Sequence, residues 1–320
     1  MLKQRLKFYR EIEKKRNSKL IVYSTSTRSG MAAQIANDIL PKFTEHLDSI
    51  GDVEKISLLI YTNGGDTLTT WSLANLIRSF CKTFEIIVPA NCFSSGTLLC
   101  LAADNIIMTK QAMLGPIDPS INGPLNPRLP DGSTLPVSVE HVNAYIDMAR
   151  KEMGINTSQD MSQVLMRLAS AIHPLTIGHV YKSRSQIQML AKKMINLRKK
   201  KVSPQRISSV IKFLCSDSGS HDYSIRRKEA KEELGFPIEK PSDELYKTIK
   251  NIYDDISIDM ELESPFNPRI LAHTTDKFSC RRAIIESIKC GTDVFISEGS
   301  FDLKVDKVNV YTKYEGWKHE

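Results

Sequence analysis

Several things are missing from this 320-residue chain, and each absence removes a class of function. The six cysteines (Cys81, Cys92, Cys100, Cys215, Cys280 and Cys290) show no paired Cys-x-x-Cys spacing, so no zinc motif is predicted. They lie mainly in apolar runs, where free cysteine behaves as a small hydrophobe, which suits a reducing compartment. There is no Gly-x-Gly-x-x-Gly turn, the usual dinucleotide fingerprint, and no cofactor is predicted. No run approaches the roughly 18–20 apolar residues that span a bilayer. The opening MLKQRLKFYREIEKKRNSK is basic but lacks the apolar core of a signal peptide. Together these point to a cytoplasmic chain without a transmembrane segment. Aromatic residues make up only 7% and the net charge of +7 is modest for the length. With no aromatic-and-basic recognition motif, no nucleic-acid partner is predicted.

What is present is ordinary globular composition, 41% hydrophobic and 25% charged, in a chain long enough for one large domain or a core with a small appendage. Residues 55–120 organise it. Two apolar, β-branched runs, 56–61 and 85–89, each end in a turn of small residues and then feed a helical pattern, 68–80 and 95–103. The first turn is Thr62-Asn63-Gly64-Gly65-Asp66; the second is Asn91-Cys92-Phe93-Ser94-Ser95-Gly96. Strand–turn–helix used twice in succession predicts the α/β class with a parallel sheet.

The two turns carry chemistry. Glycine leaves a backbone N–H unobstructed, and helix N-termini present unpaired N–H groups and partial positive charge. Two such groups can hold the oxyanion that forms when an acyl carbonyl is attacked. The reading is therefore Ser94 as nucleophile, with the Gly65 and Ser95 N–H groups as oxyanion hole. Turn geometry alone also accounts for either motif singly; their pairing, each after a buried strand, favours acyl transfer. The base is open on the residues alone: His173 opens a helix at His-Pro, His221 sits in a Ser-His-Asp-Tyr turn, and Lys151 lies between.

These residues resemble the Clp/crotonase-fold serine peptidases, which include Clp protease and signal peptide peptidase A, and most narrowly the serine dehydrogenase proteinase (SDH) family. The likeness rests on Thr62-Asn63-Gly64-Gly65-Asp66, on Ser95-Gly96-Thr97-Leu98 and on Leu114-Gly115-Pro116-Ile117-Asp118-Pro119. It extends to His173-Pro174-Leu175 with Gly178, and to Ser220-His221-Asp222-Tyr223. It covers about residues 18–240. The resemblance implies a superhelix of ββα units with added C-terminal helices. It also implies an ATP-independent serine endopeptidase acting on peptides or unfolded protein, and a homo-oligomer. The SDH family is held to order its triad Ser, Asp, His, where Clp protease has Ser, His, Asp. Carried over, Asp118 becomes the acid and His173 the base, with His221 as the alternative base. Lys151 falls near the offset of the lysine base of signal peptide peptidase A, without matching surroundings. The reading divides the chain into a charged, solvated N-terminal arm (1–17), the peptidase domain (18–240) and a C-terminal extension (241–320). A crotonase-like acyl-CoA or thioester enzyme, and an inactive scaffold of the same fold, are the alternatives.

Elsewhere the periodicity predicts strands at 19–23, 105–108 and 113–114, and an amphipathic helix over 31–47. Four prolines within 120–138 predict a loop or hairpin, read as a substrate flap or equally as a plain surface excursion. Helices are expected over 139–152, 158–171, 174–200, 202–213, 226–234, 243–256 and 278–288. A short strand at 293–296 and an edge strand at 305–314 follow.

Overall fold

The computed structural model describes residues 2–118, 120–218, 220, 222–303 and 307–320. In chain order the elements are α1 (Leu2–Arg16), β1 (Lys19–Thr25), α2 (Ile39–Ile50), β2 (Val53–Tyr61), α3 (Thr67–Ser79) and β3 (Cys81–Val88). Next come β4 (Asn91–Cys92), α4 (Ser95–Cys100), β5 (Asn105–Met108) and β6 (Met113–Leu114). β7 (Ser120–Ile121), β8 (Val137–Ser138), α5 (Val139–Lys151), α6 (Ser158–Ala171), α7 (Pro174–Asn196) and α8 (Pro204–Lys212) follow, α8 running into a π-helical turn, Phe213–Asp217. Then come β9 (Ile225–Arg226), α9 (Arg227–Glu232), β10 (Ile238–Glu239), α10 (Asp243–Asp259) and α11 (Pro268–Leu271). The last three elements are β11 (Lys277–Ser287), β12 (Gly291–Leu303) and β13 (Val308–His319).

The chain divides into two units. The first comprises residues 1–114, 194–201 and 224–320; the second comprises 115–193 and 202–223. The first is α/β. Its eight-stranded sheet runs β10-β5-β3-β2-β1-β11-β12-β13, parallel from β10 to β1 and antiparallel beyond. β1, β2 and β3 are buried along nearly their whole length, as strands covered on both faces must be. On one face Leu20, Val22, Leu59, Ile87 and Ile107 pack with Tyr9 and Ile12 of α1 and Ile249, Ile252 and Ile256 of α10. Alternation turns Tyr23 the other way, edge-on against Phe43 of α2 at 5.4 Å. A second small sheet, β4-β6-β9, catches the chain after it leaves the large one, so β3–β4–α4 repeats as strand, short strand, helix.

Three expectations fail for physical reasons. Residues 1–17 are not a solvated arm. Arg5, Tyr9 and Ile12 of α1 are at most 1% exposed, and the Arg5 guanidinium bonds Glu286 at 2.6 Å and Asp255 at 2.6 Å. Residues 31–38 are not helical, because Ile35 is pinned into a β-bridge: its N–H donates to Gly64 O at 2.8 Å and its carbonyl accepts from Asp66 N at 2.8 Å. Residues 278–288 form the strand β11, paired to β1 through Ile21–Ser287 to Thr25–Ala283, so the C-terminal segment continues the central sheet.

In the second unit β7 and β8 close an antiparallel hairpin whose intervening residues 128–136 are exposed. Ile121, Val137, Val139, Val142, Leu168 and Val180 form its core beneath α5, α6 and α7.

Candidate active site

Ser94 stands where the extended backbone after β4 turns into α4, and it has φ +50° and ψ −116°. That is a left-handed φ in a residue with a Cβ, which costs about 1–3 kcal/mol and persists only where neighbours hold it. The neighbours are identifiable. Thr62 and Cys92 form a parallel bridge, Thr62 N–H donating to Asn91 O at 3.0 Å and Phe93 N–H to Thr62 O at 3.0 Å. The Thr62 hydroxyl accepts from Gly64 N at 3.0 Å and from the Thr25 hydroxyl at 2.8 Å, locking the first turn. Gly96 N–H donates to Phe93 O at 2.8 Å and Leu98 N–H to Ser94 O at 3.0 Å, locking the second. Asp66 caps α3 by accepting from Thr69 N at 2.6 Å.

Glycines let the two turns touch. Gly64 has φ +107°, and a Cβ there would lie 2.8 Å from Ser94 Cβ, 2.9 Å from Phe93 O and 3.1 Å from Ser95 N. Only hydrogen fits. Gly65 has φ +149° and would meet the Ile35 backbone at 2.3 Å. Among the described residues the Gly65, Ser94 and Ser95 N–H groups find no acceptor, while those of Gly64, Asp66 and Gly96 donate to Thr62, Ile35 and Phe93. Unspent donors thus lie in both turns, which touch beside a strained, half-buried serine. Within its own unit, the Ser94 hydroxyl bonds no described residue.

Asp118 and His173 belong to the second unit, which the structure describes by itself. Asp118 is 6% exposed and lines a cavity of about 530 Å³ with Glu140, His141, Arg184, Ser216 and Asp222. Arg184 donates to the Ser216 hydroxyl at 3.3 Å. Burial raises the Glu140 carboxyl above its ordinary range; Arg184 opposes this and the Asp118 charge adds to it. His173 does not line that cavity. It is exposed, and its Nδ1 accepts from Leu175 N at 3.2 Å while its carbonyl accepts from Thr176 N at 2.8 Å, so it caps α7. Lys151 is exposed and pairs with Asp147 at 2.7 Å, one turn back on α5. His221 lies outside the described residues. Sequence reading missed His141 and Glu140, which enter Asp118's cavity through the first turn of α5; the capping Ser138, accepting from His141 N at 3.3 Å, was the available signal.

Residues 1–137 match the family model described as ClpP-like SDH-type serine proteinase. That span includes Gly65, Ser94, Ser95 and Asp118 and ends before His141, His173 and His221. Two uncharacterized proteins of Methanocaldococcus jannaschii are similar. MJ0137 is 28% identical over 255 residues, covering 78% of each chain. MJ1495 is 25% identical over 241 residues, covering 73% of this chain and 71% of its own. Among solved structures, ClpP1 from Listeria monocytogenes is 14% identical with a TM-score of 0.38, covering 73% of this chain and 98% of that one. A variant of the 1510-N membrane-bound stomatin-specific protease is 17% identical with a TM-score of 0.34, covering 72% and 85%.

Proposed function

We propose that this chain is a serine peptidase in which Ser94 is the nucleophile and the Gly65 and Ser95 N–H groups form the oxyanion hole. The match of residues 1–137 to ClpP-like serine proteinases supports a serine peptidase in general. The observation that carries the finer reading is Ser94 at φ +50° between β4 and α4, packed on Gly64. A serine held in that conformation serves no packing purpose that glycine would not serve with less strain. A histidine base takes the hydroxyl proton as the Ser94 oxygen attacks a peptide carbonyl, and the two backbone N–H groups hold the developing oxyanion. The protonated histidine gives its proton to the leaving amine as the C–N bond breaks, and water, deprotonated by the same base, releases the acyl-enzyme.

The roles of Asp118 as acid and His173 as base, with His221 as alternative, are proposed on the sequence resemblance and not on a distance. His141 enters as a further base candidate because it lines the cavity that holds Asp118. The substrate class is peptide or unfolded protein, and the setting is a cytoplasmic homo-oligomer without ATP.

Hydrolysis of a denatured casein substrate by the wild type and by Ser94→Ala, His141→Ala, His173→Ala and His221→Ala tests this. Wild type cleaves. Ser94→Ala loses on the order of 10⁶-fold in kcat, and one histidine variant falls comparably. Cleavage that survives Ser94→Ala rejects the assignment.

A further inference from the structure

A second constellation lies in the first unit, built by elements far apart in the sequence. α2 presents a buried face of Ile39, Phe43, His46, Leu47 and Ile50, in which His46 is the one polar side chain. Its ring meets the hairpin between β11 and β12. Nδ1 lies 2.8 Å from the Ser287 hydroxyl and Nε2 lies 3.1 Å from Asp293 Oδ2. His46 and Asp293 are both 0% exposed. The hairpin turn carries Cys290, half-buried, whose N–H donates to the same Ser287 hydroxyl at 3.3 Å. The β12–β13 register sets His319 directly opposite Asp293, and His319 Nδ1 lies 3.5 Å from Asp293 Oδ2. The other Asp293 oxygen is buried with no hydrogen bond of ordinary geometry among the described residues; it faces Lys42 Nζ at 3.3 Å, and Lys42 also pairs with Glu45 at 3.0 Å.

From this arrangement we propose that His46, Cys290, Asp293 and His319 form a binding site for a divalent zinc-class cation. One ligand atom from each of the first three residues lies within 4.8 Å of the others. Zinc bonds of about 2.0–2.3 Å at tetrahedral angles put ligand atoms roughly 3.3–3.6 Å apart. The 3.1 Å and 3.5 Å separations of the two imidazoles from Asp293 are already within a few tenths of that. Cys290, in a turn partly open to solvent, needs at most about 1.5 Å of side-chain movement to close the 4.8 Å limit to that spacing. The donor set, two nitrogens, one sulfur and one carboxylate oxygen, is one that zinc accepts and that magnesium or calcium would not choose. Asp293, the Cys290 thiolate and Glu45, set against Lys42, leave two negative charges to meet the cation. Cys290 would bind as thiolate, its proton passing to solvent.

Ser287 plays the supporting role that ligating histidines require. Its oxygen can accept the Nδ1 proton of His46, freeing Nε2 as ligand, and it also fixes the turn that carries Cys290. The site would fasten α2, the β11–β12 turn and the end of β13 together. No spacing rule could announce it, since His46 precedes Asp293 by 247 positions.

The test uses the full chain, stripped with EDTA and dialysed against Zn²⁺, with bound metal counted by mass spectrometry. Wild type retains one zinc per chain and gains in Tm when zinc is restored. Cys290→Ser and His319→Gln, neither at a fully buried position, remain folded by circular dichroism. Each loses that retention and that gain. Ser287→Ala weakens binding about 10–100-fold. Cobalt in place of zinc gives a thiolate-to-metal charge-transfer band in wild type that Cys290→Ser abolishes. The proposal is overturned if wild type holds no stoichiometric zinc after dialysis, or if either ligand variant retains zinc as wild type does; His46 is then only a hydrogen-bonded core histidine.

Discussion

Ser94 and Gly64 are coupled through space. The serine keeps its positive φ because the glycine opposite has no Cβ to displace it. Gly64→Ala therefore has two costs, about 1–3 kcal/mol of backbone strain and a 2.8 Å clash with Ser94 Cβ that moves the hydroxyl. The expected outcome is a variant that still folds, with a lowered Tm, but loses peptidase turnover by more than its stability loss explains. Steady-state kinetics beside a melting curve decides it. Glu140 offers a pH test in the second unit. Its carboxyl is held above the ordinary range by burial, against Arg184, with Asp118 contributing in the same direction. A carboxyl raised on folding gives stability that is present below its unfolded pKa of about 4.3 and is lost as pH rises through the folded value. Ionised Glu140 thus costs stability near pH 7. Glu140→Gln should raise Tm at pH 7, and the gap should close by pH 4. A Tm lowered at pH 7 would mean that the Arg184 pairing outweighs burial.

At the scale of elements, α1 is fastened by charge as much as by packing. Arg5 is 1% exposed and bonded to Glu286, Asp255 and Asp259, while Tyr9 donates to Glu286 beside it. Removing one partner from a buried cluster of this kind costs about 3–5 kcal/mol. Arg5→Ala should lower the urea midpoint accordingly, and Lys7→Ala, exposed on the same helix, should leave it unchanged. Composition alone made α1 look like a solvated arm, because its acidic partners lie some 250–280 positions away. β11 was misread for a local reason. Its register shifts between Arg281 and Ala283, which breaks the two-residue alternation and leaves a pattern closer to helical spacing. By contrast β1, β2, β3, β5, β6 and α3 were legible, while β4 lies inside what the sequence shows only as a turn. The strands carry short apolar, largely β-branched runs and α3 follows the glycine turn that Asp66 caps, and those signals are local. The helix expected from 31 was lost to a non-local one, the bonds that hold Ile35 to Gly64 and Asp66.

On the scale of the whole molecule, legibility splits as the chain does. The glycine and serine turns of the first unit could be located because their positions between strand and helix are set by local sequence. The acid and base could not be read with the same force. Histidine placement in the second unit depends on how α5 and α7 begin, and a capping histidine such as His173 and a cavity-lining one such as His141 look alike in sequence. The resemblance implies a homo-oligomer, so sedimentation should return a multiple of 36.1 kDa; a species of 36.1 kDa alone would contradict it. The central claim is Ser94 as nucleophile. Fluorophosphonate labelling followed by intact mass tests it most directly, on wild type, Ser94→Ala and Ser95→Ala. One adduct is expected on wild type and on Ser95→Ala, whose side chain has no part in the proposed reaction, and none on Ser94→Ala. A folded wild type that takes no label, or an adduct that persists in Ser94→Ala, would contradict it.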